Sequence, residues 1–169
     1  MDDLVALAEK IGEKLKQQGK MFATAESCTG GWVGQVVTSV PGSSHWFDRG
    51  FITYTNNSKR ELLGVSTDVL ARFGAVSEQT ARAMAEGALD RSNAQVSLAI
   101  TGIAGPGGGT PDKPVGTVCF AWAGENRETR CERHRFDGDR QAVRRQAVGQ
   151  ALTGLLEFIT ADTGGKKAG

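Results

Sequence analysis

The chain has 169 residues, of which 39% are hydrophobic and 23% charged, and its formal net charge is +1. This composition is typical of a globular protein and argues against a disordered or fibrous one, while the near-neutral charge offers no broad electrostatic basis for binding nucleic acid or an anionic membrane. No apolar run reaches the roughly 20 residues that a membrane-spanning helix needs. From the charge and the apolar runs together, we expect no nucleic-acid partner and no membrane association.

Cysteine and histidine usage also narrows the function. Cys28, Cys119 and Cys131 show no close pairing, and no signal-peptide pattern precedes them, which favours a reducing, cytoplasmic location. His45 and His134 do not lie at metal-ligand spacing from cysteines or carboxylates. We therefore expect no metal, no other cofactor and no histidine-based catalytic triad.

The first elements follow from apolar spacing. Residues 3–18 predict an amphipathic helix, and residues 21–25 predict a short buried strand. A second helix is expected from Trp32 to just before Pro41. Residues 46–54 are aromatic and β-branched, which predicts another strand.

Two serines indicate helix starts in the middle of the chain. Ser58-Lys59-Arg60-Glu61 has the form of a capping box, which predicts a helix with Ser58 as its N-cap and Lys59 in its first turn. Ser77 predicts the start of a further helix over residues 77–90. That helix leads to a strand over residues 96–101.

The last third of the chain predicts a loop, a strand pair and a helix. Residues 102–114 hold five glycines and three prolines, too many for a regular element. Residues 115–122 and 129–136 predict antiparallel strands, and apolar spacing over residues 143–159 predicts a long helix. Together the elements predict a single α/β domain over residues 1–160, a three-layer α/β/α sandwich on a mixed, mainly parallel sheet, followed by a disordered tail over residues 161–169.

The strongest local signal for chemistry is the strand-to-helix corner at Ser27. A serine there projects its hydroxyl away from the sheet, and small following residues let backbone N–H groups approach an oxyanion. A simple helix cap is the alternative explanation. Cys28 is a competing nucleophile. Because neighbouring side chains of an extended segment point in opposite directions, Ser27 and Cys28 cannot both face one pocket if the strand continues through them.

Five segments taken together resemble the CinA C-terminal-domain family: AESCTGG at 25–31, GFITYTNNSK at 50–59, GAVS at 74–77, TGIAGPGGG at 101–109 and KPVGT at 113–117. In length the chain is similar to the stand-alone amidase form of that family. The resemblance implies hydrolysis of nicotinamide mononucleotide to nicotinate mononucleotide and ammonia, in pyridine-nucleotide (NAD) recycling and without a metal. It also implies five strands in the mixed sheet.

Residue roles come from the same resemblance. It implies a nucleophile at Ser27, a lysine base at Lys59 and a catalytic tyrosine at Tyr54. It further implies substrate contacts from Thr101 and Arg140. Arg144 remains a second candidate for the contact with the phosphate.

Elementary chemistry sets conditions on these roles. A lysine base must be partly neutral, and a helix N-terminus, a nearby cation and partial burial all lower a lysine pKa. We expect the helix start and the adjacent Arg60 to lower the pKa of Lys59. The phenol of Tyr54 is suited to pass a proton between serine, lysine and leaving ammonia, although a packed aromatic side chain is the plain alternative.

Backbone groups are the expected substrate contacts. N–H groups of Thr29, Gly30 and Gly31 are candidate oxyanion donors, and Gly102 and Gly105 allow close approach to the long loop. Glu26 fits either a contact to a ribose hydroxyl or a helix-end partner. A non-catalytic mononucleotide-binding module is the alternative function, and a homodimer is a possible assembly.

Overall fold

The computed structural model describes residues 2–161 of the chain. Its helices and strands follow in the order α1 (Asp2–Gln18), β1 (Phe22–Glu26), α2 (Trp32–Thr38), a short 3-10 helix (Ser43–His45), β2 (Phe47–Ile52), α3 (Asn56–Leu63), α4 (Thr67–Phe73), α5 (Glu78–Asp90), β3 (Val96–Gly102), β4 (Thr117–Gly124), β5 (Arg130–Arg135) and α6 (Arg140–Thr160).

The five strands form one mixed sheet in the order β2-β1-β3-β4-β5. Strand β1 pairs in parallel with both β2 and β3, whereas β4 pairs antiparallel with β3 and β5. It follows that every strand except β4 runs in the same direction. The predicted α/β class and mixed five-stranded sheet are confirmed.

Helices cover both faces of the sheet. On one face the large side chains Phe120 and Trp122 pack with apolar residues of α1, α2 and α6. On the other face the small residues Ala99, Cys119 and Ala121 pack mainly against α5 and the end of α3. This arrangement is the predicted three-layer α/β/α sandwich.

Most predicted elements are confirmed to within a few residues, with two exceptions. Helix α3 begins at Asn56 rather than after Ser58, because Thr55 is its extended N-cap and accepts a hydrogen bond from the Ser58 N–H, while the Ser58 hydroxyl accepts one from the Thr55 N–H. The prediction that Ser58 is the N-cap is therefore wrong. Helix α4, with Ser66 as its cap, was not predicted.

The strand directions concentrate loops at one edge of the sheet. Strands β1, β2 and β3 all end there, and α6 begins close by, so their connecting segments converge. Within the described residues, no helix combines the length and apolar character needed to cross a membrane. Among the same residues, no three histidine, cysteine or acidic side chains are grouped so that they could hold a metal ion. The tail predicted to be disordered lies, from residue 162 onward, outside the described residues.

Candidate active site

Ser27 lies directly after strand β1, at the edge where the parallel strands end. Its N–H donates to the Ile100 carbonyl of β3 at 3.0 Å, which continues the strand pairing by one residue. The Ser27 side chain is buried, with 7% of its surface exposed. The neighbouring sheet therefore fixes the backbone of this serine.

The Ser27 hydroxyl is paired with the amine of Lys59. Lys59 Nζ lies 3.0 Å from Ser27 Oγ and donates to the Thr53 carbonyl at 3.0 Å. Only 1% of Lys59 is exposed. Burial lowers the pKa of Lys59 from its usual range, because a charged amine is poorly solvated there. An amine with a lowered pKa is suited to accept a proton from the adjacent hydroxyl.

The cause of the lowered pKa differs from the expectation. Lys59 is the fourth residue of α3, one turn further from the cap than a Ser58 start implied. The Arg60 side chain is exposed and donates to Asn57 Oδ1 at 2.8 Å. Burial, rather than Arg60 or the helix end, is thus the main influence on the pKa of Lys59.

Cys28, the competing nucleophile, is buried, and burial raises the pKa of its thiol to about 12. Thiolate is the reactive form of cysteine, so this thiol is a poor nucleophile near neutral pH. The environment therefore disfavours cysteine catalysis at this corner.

Ser27 and Lys59 open into a cleft of about 330 Å³. Seven of the predicted site residues line this cleft, namely Ser27, Lys59, Tyr54, Thr101, Gly102, Gly105 and Arg140. The Thr101 hydroxyl donates to the Ala75 carbonyl at 2.7 Å. Thr101 consequently fastens the 74–77 segment, which supplies another wall of the cleft.

Tyr54 and Arg140 form the outer part of the same cleft. Arg140 Nη2 donates to the Tyr54 hydroxyl at 3.0 Å, and Arg140 Nη1 donates to the Gly105 carbonyl at 2.8 Å. Neither acceptor is a carboxylate, so these two partners do not neutralise the positive charge of the guanidinium. Tyr54 is 60% exposed and accepts this bond in place of a contact with Lys59.

Thr29, Gly30 and Gly31 lie outside this cleft, along a neighbouring depression. The Gly30 N–H donates to the Ser27 carbonyl, and the Gly31 N–H donates to the Glu26 carboxylate. The Thr29 hydroxyl also donates to Glu26. The expectation that Gly30 and Gly31 offer N–H groups to an oxyanion is corrected, since both donors are already bonded within the protein.

Two charged residues whose roles the sequence left open, Glu26 and Arg144, hold this corner. Glu26 is 2% exposed and takes the helix-end role that the sequence left open. Arg144 does not line the Ser27 cleft, because its guanidinium donates to the Cys28 and Thr29 carbonyls. Of the two arginine candidates, only Arg140 reaches the cleft.

Comparisons with known proteins relate the chain to one family. The sequence model of the CinA C-terminal domain matches residues 4–159. The chain is 49% identical, over 161 residues, to nicotinamide-nucleotide amidohydrolase PncC of Escherichia coli K12, covering 95% of this chain and 98% of that protein. It is 48% identical over 160 residues to the protein of the same name from Pseudomonas putida, covering 95% and 99% of the two chains.

A solved structure extends the comparison to the fold. The crystal structure of the competence/damage inducible protein CihA from Agrobacterium tumefaciens superposes with a TM-score of 0.89 at 47% identity. The match covers 92% of this chain and 94% of that one. The similarity therefore extends over most of the fold.

Proposed function

The chain belongs to the CinA C-terminal domain family, and on that basis we propose that it is an amidohydrolase that converts nicotinamide mononucleotide to nicotinate mononucleotide and ammonia. Two relatives that share about half of its residues carry the name nicotinamide-nucleotide amidohydrolase. As the family resemblance implies, the reaction serves pyridine-nucleotide recycling.

The buried contact between Ser27 and Lys59 is the observation that carries the proposal. In the first step, neutral Lys59 takes the hydroxyl proton while Ser27 Oγ attacks the carboxamide carbon. The carbonyl oxygen becomes the oxyanion of a tetrahedral intermediate. Collapse of this intermediate breaks the C–N bond, and the proton held by Lys59 leaves with ammonia.

The second half of the reaction removes the acyl group from the serine. A water molecule, deprotonated by Lys59, attacks the ester carbon, and Ser27 Oγ leaves with the proton returned from Lys59. Nicotinate mononucleotide is released. One water molecule is consumed and one ammonia is formed, so the two steps balance without a cofactor.

The remaining cleft residues are proposed to hold the substrate. Arg140 is suited to a phosphate group because its guanidinium is charged and already oriented by Tyr54 and Gly105. Gly102 and Gly105 permit close backbone approach to the substrate. We also propose that Tyr54 relays the proton held by Lys59 to the leaving nitrogen once substrate fills the cleft, regaining at its hydroxyl the proton that it gives up, since hydrogen bonds of an empty site often rearrange on binding.

The proposal is tested by incubating the protein with nicotinamide mononucleotide and measuring ammonia release. We expect Ser27→Ala to lower kcat by about 10³-fold or more while calorimetry still detects substrate binding. Ser39→Ala, a change in an exposed serine of the same region, is the matched control and should behave like the unmodified protein. Binding without ammonia release by the unmodified protein would instead identify a mononucleotide-binding module.

The same assay separates the two roles of Tyr54. Tyr54→Phe keeps the ring but removes the hydroxyl, so loss of a proton relay should lower kcat by roughly 10²-fold. An unchanged kcat with a raised KM would limit Tyr54 to orienting Arg140.

A further inference from the structure

We infer that Glu26 and Arg144 are positioning residues that together hold the corner carrying Ser27, so that its hydroxyl stays in line with Lys59. This inference rests on the proposed function, because it says that the two residues position the Ser27 hydroxyl for attack and do not bind substrate. Neither residue contacts the atoms that react.

Glu26 gathers the hydrogen-bond donors of the corner. Its Oε1 accepts from the Thr29 hydroxyl at 2.6 Å and from the N–H groups of Gly31 and Val33, both at 3.1 Å. Its Oε2 accepts from the Gly34 N–H at 3.0 Å. The N-cap of α2 is Gly31, which has no side chain to cap the helix. The carboxylate that immediately precedes Ser27 therefore satisfies the free N–H groups and favours the positive helix end.

Arg144, on helix α6, bonds to backbone acceptors of the same corner. Its Nε donates to the Cys28 carbonyl at 2.9 Å, and its Nη2 donates to the Thr29 carbonyl at 3.3 Å. Arg144 Nη1 donates to Gln141 Oε1 at 3.2 Å, and the guanidinium lies 5.5 Å from the centre of the Trp32 ring. Helix α6 is thereby tied to the two residues that follow the nucleophile.

The corner needs such support because of its glycines. Gly30 and Gly31 adopt φ values of 59° and 103°, so this turn requires residues that also have the greatest backbone freedom when unrestrained. A displacement of about 1 Å at a reacting group can cost around 10²-fold in rate. Fixing donors through Glu26 and acceptors through Arg144 restricts that freedom in the residues that directly follow Ser27.

The test separates positioning from substrate binding by comparing kcat, KM and affinity. We expect Arg144→Gln to lower kcat by about 10- to 100-fold with KM changed by less than about threefold. In the Ser27→Ala background, the same substitution should change the Kd for nicotinamide mononucleotide by less than about twofold. Arg144→Lys should not restore kcat, because an ammonium cannot serve two carbonyls with a planar fork.

Arg145→Gln is the matched control, since Arg145 lies on the same helix and pairs with exposed Asp3. Its kcat should equal that of the unmodified protein. A weakened Kd with unchanged kcat would overturn the inference and make Arg144 a substrate ligand, and full recovery in Arg144→Lys would reduce its role to charge alone.

Hydrogen exchange gives a readout that does not depend on turnover. Backbone amides of residues 29–34 should exchange about 10-fold or more faster in Arg144→Gln than in the control, because the corner opens more often. Unchanged exchange would contradict the inference. If the unmodified protein releases no ammonia, the proposed function fails separately, and the exchange result still decides whether Arg144 holds the corner.

Discussion

Lys59 combines two properties that rarely occur together in a lysine, deep burial and contact with uncharged partners. Its amine lies against the Ser27 hydroxyl and the Thr53 carbonyl, and no carboxylate is among these partners. Burial lowers its pKa, and this effect outweighs the smaller, opposite influence of the neighbouring Cys28 thiol. The neutral amine is therefore more abundant near neutrality than it is in a surface lysine.

The pH dependence of catalysis should report this amine. We expect kcat/KM to rise with pH through the lowered pKa of Lys59, with the midpoint below the ordinary value of about 10.4, because only neutral Lys59 accepts the Ser27 proton. Between these two pKa values the unfolded chain binds more protons than the folded one, so the free energy of unfolding should also rise with pH there. Rate profiles and urea unfolding at a series of pH values measure both.

Two variants test whether Lys59 causes this rise of kcat/KM with pH. Lys59→Met should lose the rise of kcat/KM with pH together with most of the activity. Lys10→Gln, a change at an exposed lysine, should retain both. If the residual activity of Lys59→Met still rises with pH over the same range, another titrating group causes the rise.

The sequence predicts the reacting pair more completely than it predicts the groups around the pair. Ser27 and Lys59 stand in recognisable motifs, and the structure brings their side chains into contact. Whether Gly30 and Gly31 keep free N–H groups depends on the folded turn, in which the Gly30 N–H bonds to the Ser27 carbonyl and the Gly31 N–H bonds to the Glu26 carboxylate. Strand alternation already indicates that Glu26 and Ser27 point in opposite directions, and this signal favours the helix-end role that Glu26 takes.

Among the elements, α3 shows how neighbouring capping signals compete. Thr55 and Ser58 bond reciprocally to each other's N–H groups, so the helix starts one turn before the Ser-x-x-Glu pattern suggests. Both patterns are local and chemically sound, and the extended conformation of Thr55, with φ −100° and ψ 161°, decides between them. The cap also separates Tyr54 from Lys59, so it sets where both side chains enter the cleft.

Unfolding measurements can distinguish the two caps. Thr55→Ala should lower the free energy of unfolding by about 1 kcal/mol, because the Ser58 N–H loses its acceptor. Thr55→Ser should be close to the unmodified protein. Glu61→Ala, at an exposed position of the same helix, should have little effect on the free energy of unfolding. A decrease equal to that of Thr55→Ala would instead support Ser58 as the N-cap.

Short elements are the ones that local patterns miss. Helix α4 has seven residues and buries none of them fully, so it lacks the apolar periodicity that reveals longer helices. Ser66 at its start and Gly74 at its end were the available signals. The long loop was predictable for the opposite reason, because its glycines and prolines exclude regular structure, and residues 103–116 contain no helix or strand.

For the molecule as a whole, strand order is the feature that local sequence does not contain. Each strand was recognisable, but the placement of β1 between β2 and β3 depends on contacts between distant segments. The unequal sizes of the side chains on the two faces then set the packing of the layers. Small residues on one face accommodate α5, while Phe120 and Trp122 on the other face fill the space beneath α1 and α6.

The close approach of α6 to the sheet yields the last prediction. A Cβ added at Gly154 would overlap the ring of buried Trp122, whose Nε1 donates to the Ala151 carbonyl of the same helix at 3.0 Å. Gly154→Ala should therefore lower the free energy of unfolding by about 1–3 kcal/mol, measured by urea denaturation. Ordinary helix propensity alone would stabilise the variant by up to about 1 kcal/mol.

Gly149→Ala is the control that separates packing from propensity. A Cβ at Gly149, also in α6, would meet only Leu4 Cδ2 at 3.6 Å, an ordinary contact. This variant should be as stable as the unmodified protein or gain up to about 1 kcal/mol. Equal stability of the two variants would mean that the ring of Trp122 yields without cost. Opposite signs would show that contact between α6 and the sheet, more than helix propensity, fixes the helix that carries both Arg140 and Arg144.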